Sequence, residues 1–326
     1  MNILFVASQG SRKQISPIIQ RQAESLLSWA FNIKFFLIAN GLQNYLRSIW
    51  LLRKELNKDS SIDLIHAHYG LCGIVAFLAN HGKHSLIVSF MGDDIIGSVG
   101  KNNKYTLMSK CISKLNIFFA RNLYDYSIVK SSQMHSKIGQ NYKCTTIPNG
   151  VDINFFKEKP KNIARDKLGL RQNLFYVIFV SNPSRIEKNY KLAVSSVNSL
   201  GRLDIKLLAV YDIAKELLPY YYSAADFLLM TSYHEGSPNV IKEAMACNCP
   251  IVTTDVGDVR YILGNTDGCF IAEANPKDLH QKIIKALDYA RAKNRTQGRK
   301  RIMEIGLDSD SIVRRIIDVY SNVMEK

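Results

Sequence analysis

Short apolar runs rich in β-branched and aromatic residues alternate with amphipathic helical patterns from one end of the chain to the other. Several of these runs are continuously apolar, which is typical of parallel strands that helices cover on both faces. The alternation predicts an α/β protein whose parallel strands are joined by right-handed crossovers. The predicted strands are Ile3–Ala7, Ile33–Ile38, Ile62–His66, Ser85–Phe90, Tyr126–Val129, Cys144–Ile147, Phe175–Val180, Ile205–Val210, Asp226–Met230, Ile251–Thr254 and Cys269–Ala272.

A turn cluster near the middle of the chain, Pro148–Gly150, separates two such alternating regions. The length of 326 residues is also sufficient for two domains. We therefore predict two Rossmann-like domains, residues 1–150 and 151–307. The last helix, within residues 308–326, carries a strong apolar stripe, so it packs either on its own domain or back on the first one.

The stretch "HEGSPNVIKEAMA" follows a predicted strand and holds two carboxylates, Glu235 and Glu243. Ser237 is the predicted N-cap of a helix, and Pro238 is its predicted first residue. A helix N-terminus at the carboxyl end of a parallel strand suits an anion such as a diphosphate, and a carboxylate suits the hydroxyls of a ribose. Taken alone, the pair also fits two solvated glutamates.

The stretch "VSNPSRIEKNYKLA" places two cations, Arg185 and Lys188, in the loop after the first strand of the second domain. Phosphate-binding loops are common at this position of an α/β domain. Arginine can hold phosphate oxygens in a bidentate manner and lysine acts as a point charge. A solvated basic loop is the alternative interpretation.

These two stretches, with "AADFLLMTSYHEGSPNVIKEAMACNCPIVTTDVGD" and "IPNGVD", resemble the donor-domain motifs of family 4 glycosyltransferases. The spacing of Glu235 and Glu243 matches the E-x7-E signature of that family. "DLIHAHYG" and "SFMGDD" resemble its acceptor-domain motifs, so the resemblance spans nearly the whole chain. It implies the GT-B fold, in which two Rossmann-like domains face a central cleft.

The resemblance also implies an activity. Members of this family transfer a sugar with retention of configuration and without a metal. For this chain the resemblance implies a UDP- or GDP-sugar donor and no further cofactor. It also implies a glycan or lipid-linked glycan acceptor of cell-surface polysaccharide biosynthesis. The implied catalytic residues are Glu235, Arg185 and Lys188, the last two on the diphosphate. The implied donor-binding residues are Glu243 on the ribose, Ser237, Pro238, Asn239, Val240 and Gly10. The acceptor-side residues are His68, Met91, Asp93 and Asp94.

Three positions depart from the family pattern. Met91 stands where many members have a histidine near the reacting sugar, and Tyr261 stands where many have a glutamate. The loop "GSPN" differs from the commoner Gly-Phe-Gly type. The leaving-group residues are unaffected, whereas the positioning of the donor sugar differs from the usual arrangement.

Positive charge is concentrated in residues 1–150, which hold 17 Lys and Arg against 7 Asp and Glu. The segment Lys101–Arg121 contains no acidic residue, and apolar side chains recur there every four positions: Leu107, Cys111, Leu115 and Phe119. This amphipathic basic helix either packs its apolar stripe on the sheet or docks on an anionic membrane that carries a lipid-linked acceptor. Periodicity by itself cannot separate these two interpretations. The packed helix is the preferred one.

Other classes of protein are less compatible with the sequence. No apolar run approaches the ~18 residues of a membrane helix, and "MNILFVASQG" lacks the features of a signal peptide, so we expect a cytoplasmic protein that is at most peripheral at the inner face of the membrane. The six cysteines form no CxxC pair, and no ligand spacing predicts a metal site. Nucleic acid is not a predicted partner, because no known motif is present. The alternatives are an epimerase or hydrolase of the same fold and a non-enzymatic basic binding protein.

Overall fold

The computed structural model describes residues 1–10, 14–97, 106–293 and 295–325. The chain divides into two compact units. The first unit consists of Met1–Asn149 together with Ser309–Lys326, and the second of Gly150–Asp308. In the described residues no helix is both long and apolar enough to cross a membrane.

The first unit is built on a six-stranded parallel sheet in the order β2-β1-β3-β4-β5-β6. Its strands are β1 Asn2–Ser8, β2 Asn32–Ile38, β3 Leu64–His68, β4 Ser85–Ser89, β5 Tyr126–Val129 and β6 Cys144–Thr146. Its helices are α1 Pro17–Leu27, α2 Leu42–Lys58, α3 Gly70–Asn80, α4 Asp93–Ile96, α5 Leu107–Asn122 and α6 Ser132–Ile138, with α14 Ser309–Met324 from the end of the chain. Helix α2 packs on α3, α3 on α5 and α5 on α6, so these four form one layer on the sheet.

The second unit has a five-stranded parallel sheet in the order β11-β10-β9-β7-β8. Its strands are β7 Phe175–Phe179, β8 Ile205–Ala209, β9 Phe227–Met230, β10 Ile251–Thr254 and β11 Cys269–Ala272. Its α-helices are α7 Lys161–Lys167, α8 Tyr190–Asn198, α9 Leu218–Ala224, α10 Asn239–Ala246, α11 Val259–Leu263, α12 Pro276–Ala292 and α13 Gly298–Glu304. Two short 3-10 helices are η1 Ile186–Lys188 and η2 Lys215–Leu217.

Strand β3 begins two residues later than the predicted Ile62–His66, at Leu64. Ile62, the predicted first residue, is buried in the core before the strand begins. Its apolar character reflects this burial and not a position in the sheet. The later end brings His68 into the sheet, opposite Ala7 of β1 and Ser89 of β4.

Helix α14 packs against α1 in the first unit, which decides between the two positions that the sequence left open. Its apolar stripe is buried, with Ile316 and Tyr320 almost inaccessible. The Tyr320 hydroxyl lies 2.6 Å from His66 Nδ1, and Arg315 Nη2 donates to the Thr146 carbonyl oxygen at 2.5 Å. Polar contacts therefore add to the apolar packing of this helix.

Helix α5 packs on the first unit, as the preferred interpretation expects, but only part of its apolar stripe is buried, with Phe119 packed against the core. Ser113, Asn116 and Ala120 face the interior, whereas Leu107 and Leu115 are 79% and 44% exposed. The polar side chains point inward because they satisfy the end of the short helix α4. Ser113 Oγ donates to the Ile95 carbonyl oxygen at 2.5 Å, and Asn116 Nδ2 donates to the Asp94 carbonyl oxygen at 2.9 Å. Lys101 and Lys104, also part of the predicted helix, lie outside the described residues.

Candidate functional site

The connections of the second sheet reverse direction between β7 and β9, which are neighbours in the sheet but not in the chain. In parallel α/β sheets the loops at such a switch point separate and leave room for a ligand at the carboxyl ends of the strands. The loop after β7 contains Arg185 and Lys188, and the loop after β9 contains Glu235. The topology thus brings together the two stretches that the sequence singled out.

Lys188 and Glu235 form a direct ion pair at this position. Lys188 Nζ lies 2.5 Å from Glu235 Oε1, and Ser232 Oγ donates to the same oxygen at 2.8 Å. The lysine and glutamate side chains are 16% and 15% exposed, so the pair is largely withdrawn from solvent. Thr231 Oγ1 also donates to the Lys188 carbonyl oxygen at 3.2 Å, which ties the two loops together.

Arg185 does not join this pair. Its guanidinium bonds the carboxylate of Glu187 two residues later at 2.6 Å and is 56% exposed. A strong local partner lies within the same loop, and the structure therefore brings one predicted cation, Lys188, to Glu235 rather than two. The predicted contact of Arg185 with a diphosphate stays a prediction.

Helix α10 begins one residue later than predicted. Pro238, not Ser237, is its N-cap, and no side chain caps its first turn. The Ser237 hydroxyl instead accepts a hydrogen bond from Lys242 Nζ at 3.2 Å. The first-turn N–H groups are thus not used by a capping side chain, which suits an anion. Asn239 Oδ1, in the same turn, is buried and has no hydrogen-bond partner among the described residues, and Val240 lies beside it.

Glu243 lies further along α10 and is 8% exposed. Its Oε2 accepts a hydrogen bond from the Tyr222 hydroxyl at 2.9 Å. Burial, and next the charge of Glu243, raise the pKa of Tyr222 well above its ordinary value, so the phenol is a dependable donor. The structure thus orients one carboxylate oxygen of Glu243, and its predicted contact with a ribose stays a prediction.

Sequence reasoning missed a polar cluster beneath the Glu235 loop. Lys242 is fully buried although it lies in the apolar run "NVIKEAMA". Burial raises the pKa of Asp258. A hydrogen bond from Ser237 and the positive charge of Lys242 oppose this rise. The Asp258 amide also donates to the Gly236 carbonyl oxygen at 3.2 Å. A lysine inside an apolar helical run was the available signal.

Gly257 holds the same loop in place through its lack of a side chain. Its φ is +59°, and a Cβ there would collide with the Gly236 carbonyl oxygen and lie 2.8 Å from that of Glu235. We expect Gly257→Ala to lower turnover by about 100-fold, because displacement of a positioning loop by about 1 Å has effects of that size. Steady-state kinetics measures this, with the donor that the thermal-shift panel described below selects.

The matched control for that variant is Gly169→Ala. Gly169 has φ +66° and nothing within 4 Å of the place that a Cβ would take, so it shares the backbone strain without the collision. Equal turnover of the two alanine variants would show that Gly257 does not shape the site.

The acceptor-side residues predicted in the first unit lie at the carboxyl edge of its sheet. His68 ends β3, is buried, and stacks on His66 with ring centroids 4.3 Å apart. Burial lowers the pKa of His68 well below its ordinary value, and His66 and Lys130 act in the same direction, so the imidazole is neutral. Its Nε2 has no hydrogen-bond partner in the described part of the chain. In the loop after β1, the exposed Gly10 donates its N–H to the Gln14 carbonyl oxygen at 2.9 Å.

Asp94 has a structural role that the sequence did not reveal. Its buried carboxylate accepts hydrogen bonds from the amides of Gly70 at 3.0 Å, Met91 at 3.0 Å and Gly92 at 2.9 Å. Burial raises the pKa of Asp94, and these three amide hydrogen bonds oppose that rise. Asp94 thus holds the Met91 loop, and its predicted contact with an acceptor stays a prediction, while its neighbour Asp93 is exposed.

Comparison with known proteins shows which family the segment around this site resembles. Residues 177–289, from within β7 to within α12, match the model of the family described as glycosyl transferases group 1. This part of the second unit is therefore similar to group 1 glycosyltransferases. The matched segment contains the Lys188–Glu235 pair, the start of α10 and Gly257.

Named relatives are distant in sequence. The chain is 24% identical over 259 residues to the putative teichuronic acid biosynthesis glycosyltransferase TuaC of Bacillus subtilis, covering 72% of this chain and 64% of that protein. It is also 24% identical over 286 residues to D-inositol 3-phosphate glycosyltransferase 2 of Catenulispora acidiphila, covering 73% of this chain and 66% of that protein. The chain therefore spans slightly less than two thirds of either relative.

Solved structures of similar fold cover almost the entire chain. Sucrose-phosphate synthase from Thermosynechococcus elongatus has a TM-score of 0.82 at 17% identity and covers 99% of both chains. Anabaena HepE in complex with UDP-glucose has a TM-score of 0.73 at 17% identity and covers 99% of this chain and 100% of that one. The predicted α/β GT-B fold is confirmed, and the predicted similarity to glycosyltransferases is confirmed over residues 177–289.

Proposed function

We propose that the chain transfers a sugar from a UDP- or GDP-sugar to a glycan or lipid-linked glycan acceptor in cell-surface polysaccharide biosynthesis. The proposed transfer retains the anomeric configuration and uses no metal ion. The observation that carries the proposal is the partly buried Lys188–Glu235 pair at the carboxyl edge of the second sheet, beside a helix start that none of the described side chains caps. The names of TuaC, a teichuronic acid biosynthesis protein, and of HepE, solved with UDP-glucose, support the substrate classes.

Each proposed role follows from the position of a charge or a donor. Lys188 and the first-turn amides of α10 hold the diphosphate, and Arg185 joins them from the exposed side of its loop. Glu235 accepts hydrogen bonds from sugar hydroxyls, and Glu243 accepts them from the ribose. Negative charge that leaves with the diphosphate meets two cations and a helix N-terminus, so the proposed mechanism is complete without an ion.

The proposed acceptor side lies in the first unit. The neutral imidazole of His68, the side chain of Met91 and the exposed carboxylate of Asp93 are its proposed contacts, and Gly10 is proposed to let a phosphate approach the backbone. Asp94 is proposed to position Met91, because its carboxylate holds the loop that contains Met91. Nucleotide sugars are cytoplasmic metabolites, so we propose that the reaction occurs on the cytoplasmic side.

A thermal-shift panel of UDP-, GDP- and ADP-sugars tests the proposal. A ligand at about 100 times its dissociation constant should stabilise the protein by about 2.7 kcal/mol, so the true donor should raise the melting temperature clearly above the others. Transfer with that donor should be insensitive to EDTA, and Glu235→Gln should slow it.

Three outcomes would contradict the proposal. Stabilisation by DNA or RNA with a steep salt dependence, and by no nucleotide sugar, would favour a basic binding protein. Release or epimerisation of the sugar at the full rate without any acceptor would favour a hydrolase or epimerase. Turnover by Glu235→Gln at the wild-type rate would remove the assignment of that carboxylate.

A further inference from the structure

The outer surface of the α2, α3 and α5 layer exposes large apolar side chains. Each of the following residues is at least 42% exposed: Leu42, Leu46, Trp50, Leu78, Leu107, Met108, Leu115 and Phe118. Single exposed apolar residues are ordinary on a protein surface, whereas a concentration of them marks an interaction site. We call these eight residues the apolar ridge.

Contacts with α3 show that the α2 part and the α5 part of the ridge both lie next to this central helix. Arg53, three residues after Trp50 and on the same side of α2, donates from Nη2 to the Leu78 carbonyl oxygen of α3 at 2.8 Å. On α5, Phe119 packs on Phe77 of α3 with ring centroids 5.6 Å apart, and Leu115 lies one turn before it. The stripes of α2 and α5 therefore border α3 from opposite sides.

The exposure of Leu107 and Leu115 on α5 is imposed by the interior of the protein. Ser113 and Asn116 are hydrogen-bonded to carbonyl oxygens of α4, and a Cβ on Gly70 would collide with the Asn116 side chain. Rotating α5 to bury Leu107 and Leu115 would break these bonds and leave buried backbone oxygens without partners. These residues of α5 therefore stay exposed unless a partner from outside this unit covers them.

The charge around the ridge indicates which partner. Helices α2, α3, α5 and α6 carry one acidic residue, Glu55. Their basic residues are Arg47, Arg53, Lys54, Lys58, Lys110, Lys114, Arg121 and Lys137. Leucine, phenylalanine and tryptophan in a basic surrounding are typical of surfaces that insert into the interface of an anionic bilayer, where lysine and arginine meet lipid phosphates.

We propose that the apolar ridge and its basic rim dock on the surface of an anionic lipid bilayer. Helices return antiparallel to the strands, so Leu42 and Leu107, at the starts of α2 and α5, lie toward the edge where His68 ends its strand. Docking would bring this edge near lipid headgroups. The inference rests on the proposed function only for its purpose, the capture of a lipid-linked acceptor.

Co-sedimentation of the full chain with vesicles tests the surface without any enzyme assay. We expect binding to phosphatidylcholine vesicles that contain phosphatidylglycerol, little binding to phosphatidylcholine alone, and weakening by salt. Trp50→Ser with Leu115→Ser should reduce the partition coefficient at least tenfold, and Lys110→Gln with Lys114→Gln about tenfold or more.

Matched controls come from the second unit. Leu203→Ser removes a leucine that is 90% exposed, and Lys277→Gln with Lys285→Gln removes two exposed charges. These variants should bind like the wild type. The proposal would be overturned if the wild-type protein did not bind anionic vesicles. It would also be overturned if the ridge variants bound them as well as the controls do. A dimer that the ridge substitutions dissociate would also overturn it, because a second copy would then cover the ridge.

The two proposals can fail separately. Ridge variants should keep the full melting-temperature shift with the nucleotide sugar, because none of the substituted residues lies in the second unit. Vesicle binding without any nucleotide-sugar shift would remove the proposed function and leave the docking surface.

Discussion

Lys188→Ala should lower the turnover number for transfer by about 100- to 1,000-fold, the usual effect of removing one preorganised group that stabilises charge in a transition state. Lys188 Nζ lies 2.5 Å from Glu235 Oε1 and is 16% exposed, so its charge acts in a site largely shielded from water. The diphosphate gains negative charge as its bond to the sugar breaks. The loss should therefore fall mainly on kcat rather than on KM.

Three companion variants separate the charge from its position. Lys188→Arg keeps the charge and should recover part of the rate. Lys191→Ala removes an exposed lysine of the following helix and should leave kinetics unchanged. If Lys188 served only to hold Glu235, the double variant Lys188→Ala with Glu235→Gln would be no slower than Lys188→Ala alone, and wild-type turnover of Lys188→Ala itself would refute the role.

Asp226→Ala should lower the free energy of unfolding of the second unit by about 3–5 kcal/mol, because it leaves a buried arginine unpaired. Asp226 Oδ2 accepts from Arg165 Nη2 at 2.9 Å and from the Tyr176 amide at 2.7 Å, and Oδ1 accepts from Lys161 Nζ at 2.7 Å. Arg165 is 4% exposed, so water cannot replace the lost carboxylate. Burial lowers the pKa of Lys161, an effect that Asp226 opposes, and the variant should lower it further.

Hydrogen exchange of peptides from β7 and β9 measures this loss, since core strands exchange through the largest opening of the unit. The matched control is Asp255→Ala, which breaks an ion pair with Arg260 whose side chains are 72% and 45% exposed. Exposed pairs contribute about 0–1 kcal/mol, so this variant should hardly change exchange. Similar exchange in the two variants would show that the Asp226 cluster does not stabilise the unit.

Predicted and observed strands agree closely because the signals for a buried parallel strand are local. Runs such as Ile251–Thr254 and Cys269–Ala272 have the bounds predicted for them, and β3 differs because Ile62 is buried without being in the sheet. An apolar residue can be buried either within a strand or just outside it. Apolar character therefore cannot place the end of a strand to better than about two residues.

Parts of the candidate site depend on partners that are distant in the chain. Lys188 meets Glu235 across 47 positions because β7 and β9 are adjacent, whereas Arg185 meets Glu187 two residues away. Periodicity showed that α5 is amphipathic, yet the hydrogen bonds of Ser113 and Asn116 to α4 decide which side is buried.

The sequence by itself determined the alternation of strands and helices, the two Rossmann-like regions and the loops that carry the glycosyltransferase motifs, since these depend on neighbouring residues and on periods of two and 3.6. Only the tertiary structure decided that α14 joins the first unit, that Lys188 rather than Arg185 pairs with Glu235, and that Leu107 and Leu115 of α5 face outward. Each of these depends on which distant group satisfies a charge, a backbone oxygen or an apolar face, and local pattern does not contain that information.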